Sequence, residues 1–103
     1  FAGLWSRWKS INEDVIYSYT IITTKSQKNI SKIYHRMPVI LKNNDVDKWI
    51  NHTKYNFNVA RKLLKPYLHN LYYHNVSPFV NSTKNDTIRC IEKIKNPYTI
   101  NLF

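Results

Sequence analysis

Glycine is almost missing from this chain. Gly3 is the only one in 103 residues, so no glycine-rich loop is present to cradle a phosphate through closely approaching backbone amides. Cysteine is equally scarce. Cys90 stands alone, which excludes an internal disulfide framework and points to a reducing, intracellular compartment, nuclear or cytoplasmic. Acidic side chains number six against sixteen Lys and Arg. Paired-carboxylate acid–base chemistry therefore has little to draw on, and Asp45 and Asp47 read as the acidic first turn of a helix. No uncharged apolar run approaches the roughly 18 residues of a membrane span, so no membrane partner is expected. Lys9 and Glu13 interrupt the N-terminal stretch, and no signal peptide is read there. The four histidines, His35, His52, His69 and His74, lack a zinc-ligand spacing, so neither a metal nor another cofactor is expected.

What is there is apolar, aromatic and basic. Apolar residues make up 43% of the chain, with 8 Tyr, 4 Phe and 3 Trp, enough for the core of one small domain. The net charge of +10 suggests a polyanionic partner, nucleic acid first. Codon usage competes with that reading. The chain holds 13 Asn, 12 Lys, 12 Ile and 8 Tyr, all with AT-rich codons, and only 4 Arg. The glycosylation-like triplets at Asn29, Asn51, Asn75, Asn81 and Asn85 have the same origin. Trp8 between Arg7 and Lys9 has the pattern of a base-stacking aromatic beside cations, whereas Trp5 reads as core. Cys90 lies among apolar residues and reads as a small buried hydrophobe.

The elements mix without regular alternation, which predicts an α+β fold. Ile16–Thr24 is β-branched and aromatic and predicts an inner strand. Ser26–Ile33 predicts a short helix capped by Ser26. Pro38–Leu41 predicts a short buried strand with proline at its first position. Asn44 or Asp45 caps a helix bearing Val46, Trp49 and Ile50, and Asn58–Leu64 forms another that Pro66 stops. Leu68–Ser77 returns to strand composition, which Phe79 and Val80 extend.

The segment Ile33-Tyr-His-Arg-Met-Pro-Val-Ile-Leu41 sets a polar triplet against an apolar strand, an arrangement that holds site residues in register. It resembles the I-H-x-R-M-P-V-I-L motif of the SRAP family, the SOS response-associated peptidases or abasic-site processing proteins. Phe1-Ala-Gly-Leu-Trp5 resembles F-A-G-L-W-E, with Ser6 in place of the glutamate. Tyr19–Thr24 resembles F-T-I-I-T-T. Val76–Asn81, followed by Asp86 and Cys90-Ile-Glu92, resembles V-S-x-x-V-N…D…C-I-E.

The resemblance covers residues 1–103 as the C-terminal half of a compact SRAP-like domain. It implies a mixed barrel-like β-sheet with short flanking helices. The missing N-terminal half is the expected packing partner, and the apolar surface left open without it predicts self-association. Family members shield abasic sites in single-stranded DNA. Their N-terminal cysteine condenses with the open-chain aldehyde: the amine forms a Schiff base with loss of water, and the thiol closes a thiazolidine ring. That cysteine, and an assisting Asn and Glu, are not among these residues, so this stretch alone is not expected to be an enzyme. By the same resemblance Thr23 lines the pocket, Arg36, Asn81 and Asp86 hold motif positions, and Tyr34 stands where the family has its catalytic histidine. His35 follows it. In an extended segment neighbouring side chains point to opposite faces, so three outcomes stay open: a site using Tyr34, a backbone shift presenting His35, or an impaired step. The expected site is thus Tyr34, His35 and Thr23, with Arg7, Trp8, Lys9 and Arg36 on DNA. A basic, catalytically lapsed single-stranded nucleic-acid-binding domain is the alternative.

Overall fold

The structure, a computed structural model, describes residues 1–95. Its chain packs as two compact units, Phe1–Asn70 and Leu71 onward.

The first unit is built on two antiparallel hairpins. Strands β1 (Gly3–Lys9) and β2 (Val15–Ile21) pair over seven residues, from Gly3 opposite Ile21 to Lys9 opposite Val15. Their turn is closed by backbone bonds between Ser10 and Asp14 and between Glu13 and Ser10, and the Ser10 hydroxyl accepts from the Asp14 amide. Glu13 takes a φ of 67° there, a left-handed conformation that a side chain disfavours by about 1 kcal/mol. The one glycine is used elsewhere. A Cβ on Gly3 would lie 2.7 Å from the Thr20 carbonyl oxygen, so close approach of the strands, and not a turn, demands it.

Strands β3 (Thr23–Lys25) and β4 (Arg36–Pro38) form a second, three-residue ladder. The two hairpins meet at a triangle of backbone hydrogen bonds. Ala2 N–H donates to Val39 C=O at 2.8 Å, Val39 N–H to Ile22 C=O at 2.8 Å, and Ile22 N–H to Ala2 C=O at 3.0 Å. Ala2 and Val39 are fully buried there, with Met37 beside them on the inner side of β4. Met37 Sδ accepts from the Gln27 amide at 3.3 Å, and Gln27 Nε2 donates to the His69 carbonyl at 2.8 Å. This small core lies at the junction of three segments, with Met37 the one member that belongs to a sheet.

Two short helices flank β1. A 3-10 turn at Asn43–Asp45 leads into α1 (Val46–Ile50), whose Trp49 indole donates to the Gly3 carbonyl at 3.1 Å. Helix α2 (Phe57–Ala60) is capped by Asn56 Oδ1 on the Val59 amide and runs into a 3-10 turn at Arg61–Leu63. In the second unit Val76 bridges Lys93, and 3-10 turns span Pro78–Asn81 and Ile88–Cys90.

The α+β class and both flanking helices agree with the sequence reading, but several elements do not. The described residues contain two antiparallel two-stranded sheets and no closed one, so the expected mixed barrel-like sheet is not seen among them. Ile16–Thr24 is not an inner strand: it divides at Ile22 into β2 and β3, and β2 is exposed throughout. Ser26–Ile33 folds as consecutive turns, with Gln27 and Ile30 carbonyls each accepting two amides. The strand near Pro38 runs from Arg36 to Pro38, and Val39 leaves the ladder to bond Ile22. Leu68–Ser77 keeps only the bridge at Val76, and Phe79–Val80 lie in a 3-10 turn capped by Ser77.

Candidate functional site

Alternation along β1 and β2 sorts their side chains onto two faces. The cross-strand register places Trp5 opposite Tyr19, Arg7 opposite Tyr17 and Lys9 opposite Val15 on one face. Leu4, Ser6 and Trp8 share the other with Thr20, Ser18 and Ile16. Trp8 is exposed but points away from the cations that flank it in sequence. Trp5, expected in the core, is 72% exposed, and Tyr19 is 82% exposed. The Trp5 and Tyr17 rings lie 6.2 Å apart, tilted by 32°. The aromatic and basic residues that share a face are therefore Trp5, Tyr17, Tyr19, Arg7 and Lys9. Sequence reading paired adjacent residues, whereas a two-residue period would have found this set.

The β3–β4 hairpin positions the motif residues. Thr23, Lys25 and Arg36 share its outer face by register. One Arg36 guanidinium nitrogen donates to the Thr23 carbonyl at 2.8 Å and to its hydroxyl oxygen at 2.9 Å. Thr23 Oγ1 is thereby held as an acceptor while its own proton remains available to donate. Just before β4, Ser26 grips the backbone of the preceding dipeptide. Its hydroxyl donates to the Tyr34 carbonyl at 2.6 Å and its amide to the His35 carbonyl at 3.0 Å. Ser26 is buried, while the Tyr34 and His35 side chains are exposed.

The chain bends at His35. Extended-strand alternation therefore does not separate these two side chains. Their ring centroids lie 4.5 Å apart at 50°, a tilted packing of neighbours on one side of the backbone. The structure thus brings Tyr34 to His35 and Thr23 to Arg36, joins Arg7 and Lys9 to Trp5, and sends Trp8 to the opposite face.

In the second unit, Asn85 Nδ2 donates to the Phe79 carbonyl at 2.7 Å, and the Cys90 thiol points to the Asn85 carbonyl at 3.4 Å. The Arg89 guanidinium lies over the Phe79 ring at 4.5 Å, a cation–π contact. These interactions order the loop that carries Asn81 and Asp86. Among the described residues no three His, Cys, Asp or Glu side chains converge on a point that would hold a metal, and no helix is long and apolar enough to cross a membrane.

The two hairpins and the short R-M-P strand carry three of the ordered sequence motifs. Residues 1–83 match the SOS response associated peptidase (SRAP) family, and the chain belongs to that family. It is 41% identical over 95 residues to the abasic site processing protein HMCES of Pongo abelii, covering 90% of this chain and 27% of that protein. It is 37% identical over 93 residues to the abasic site processing protein YoqW of Bacillus subtilis strain 168, covering 89% of this chain and 42% of that one. A crystal structure of a Bacteroides thetaiotaomicron protein superposes with a TM-score of 0.66 at 25% identity, over 89% of this chain and 41% of that one. The chain thus spans between about a quarter and two fifths of the relatives it matches.

Proposed function

We propose that the protein is a DNA-repair factor that recognises abasic sites in single-stranded DNA, and that these residues supply part of its DNA-binding face and one proton-transfer site. Two relatives carry abasic site processing in their names. The observation in this chain that carries the reading is the exposed ribbon face, where Trp5, Tyr17 and Tyr19 alternate with Arg7 and Lys9. Aromatic faces stack bases regardless of sequence, and adjacent cations meet the phosphates. A partner of this kind places the protein inside the cell.

In the complete domain an N-terminal cysteine would form the thiazolidine with the abasic aldehyde. Schiff-base formation and ring closure both need proton transfer. His35 brings an imidazole, whose two ring nitrogens can accept a proton and donate one. The bend that stacks His35 on Tyr34 lets the imidazole serve from a position one residue later than in the family motif. Thr23, held by Arg36, offers a hydroxyl proton to the same substrate region.

The test is titration of single-stranded oligonucleotides, with and without an abasic site, at rising salt. With three or four phosphates neutralised, log K should fall with log salt at a slope of about −2 to −3. Trp5→Ala should weaken binding by about 1–3 kcal/mol, more than Trp8→Ala does. A flat salt response, with both variants folded and unchanged in affinity, would assign the positive charge to codon usage. The isolated chain should form no heat-stable crosslink to the abasic oligonucleotide, since Cys90 has no free α-amine. A chain that crosslinks without added reductant would overturn that assignment of the chemistry.

A further inference from the structure

Between β1 and the two helices lies an open cavity of about 410 Å3, within the size range of small-molecule sites. Four aromatic side chains line it: Trp5 from β1, Trp49 from α1, Tyr55 from the connection, and Phe57 from α2. One wall is fixed, because the Trp49 indole is anchored on the Gly3 carbonyl at 3.1 Å. Phe57 is 71% exposed and presents its ring without supporting the core. Lys48 and His52 also line the cavity, none of its lining residues is acidic, and the Lys48 ammonium is paired with Asp45 Oδ1 at 3.3 Å. The Lys54 ammonium lies 5.3 Å from the Tyr55 ring centroid, which adds a second lysine beside the same aromatic group.

We propose that this cavity is a binding site for a nucleobase, taken with the phosphate attached to it. Four π-faces suit a flat heteroaromatic ring, which every base provides. With Lys48 held by Asp45, the cation left beside the cavity for an attached anion is Lys54, and the lining itself carries no carboxylate to repel that anion. A purely aliphatic occupant would make no use of that cation. The proposal rests on the single-stranded DNA reading for its biological setting: a base next to an abasic site has lost a stacking neighbour and is more easily drawn out of the strand. The binding itself stands apart from that reading.

The probe is deoxyadenosine monophosphate, titrated into the full chain and followed by quenching of tryptophan fluorescence, with deoxyribose 5-phosphate as the anion control. The nucleotide should quench and saturate, and the sugar phosphate should not. Phe57→Leu keeps apolar bulk but removes the ring. It should weaken nucleotide binding roughly tenfold while leaving the thermal midpoint unchanged. Saturable binding lost in the folded Phe57→Leu protein supports the site. Equal binding of both phosphates, binding insensitive to Phe57→Leu, displacement of the nucleotide by an apolar peptide alone, or no binding would each overturn it. Oligonucleotide affinity measured on the same samples separates the two ideas. If it persists while the mononucleotide fails to bind, the cavity proposal falls and the DNA reading stands.

Discussion

The two hairpins of the first unit divide the labour of folding unequally. The longer one, β1–β2, has seven paired positions and yet is exposed on both faces from Leu4 onward. The shorter one, β3–β4, has three pairs and borders the buried cluster of Ala2, Met37 and Val39. Ladder length therefore does not measure where a fold is held. An isolated two-stranded ribbon is marginal in water and needs another element across it. Here the long hairpin meets α1 and α2 only at the start of β1, where Trp49 bonds the Gly3 carbonyl, and its side chains from Leu4 onward stay exposed. The ribbon keeps large aromatic surface free for a partner, while the clasp fixes the motif residues.

This contrast is open to direct attack. Val39→Ala removes two buried methyl groups at the triangle and should lower stability by about 2 kcal/mol, read by chemical denaturation. Gly3→Ala tests the one place where the ribbon is tight. Its new Cβ would meet the Thr20 backbone oxygen, and a loss of about 1–2 kcal/mol is expected from overpacking. Arg36→Met breaks the two bonds to Thr23, and about 1 kcal/mol should follow at most, because the site is exposed. Tyr19→Ser on the open ribbon should change stability by no more than about 0.5 kcal/mol, while reducing DNA affinity. If Tyr19→Ser proved as damaging to folding as Val39→Ala, the ribbon would be part of the core and the division drawn above would fail.

Much of this was legible in the residues. The four ordered motifs pointed to the family, and strand composition marked the region of β2 and β3. Asn56, two residues before the expected helix, became the cap of the observed one, and Trp49 and Val59 lie on the helices foretold for them. What composition did not reveal was the cover. Ile16–Thr24 has the side chains of an interior strand, but a β-rich run specifies a strand and not what lies against it. Trp5 was misplaced for the same reason. Ser26–Ile33 has helical spacing at Ile30 and Ile33, but Ser26 spends its hydroxyl on the Tyr34 carbonyl instead of capping a helix. Leu68–Ser77 has strand composition without a neighbouring ladder, and outside the bridge at Val76 it stays irregular. At the site, alternation holds along β1, where grouping the adjacent Arg7, Trp8 and Lys9 overlooked it, and fails at His35, because one bend before a strand cancels it.

The triangle of Ala2, Ile22 and Val39 also governs how the unit breathes. Each of the three segments gives one amide proton to the next and takes one from the previous. No single segment can lift away without freeing one amide and abandoning the carbonyl of another. Local opening at any corner therefore loosens the other two, and the three protons should exchange with solvent deuterium at closely similar rates. Amides on the ribbon, from Ser6 to Lys9, are free to exchange sooner and independently. A deuterium-uptake profile with one slow, synchronous trio drawn from three distant parts of the chain would be the fingerprint of this knot.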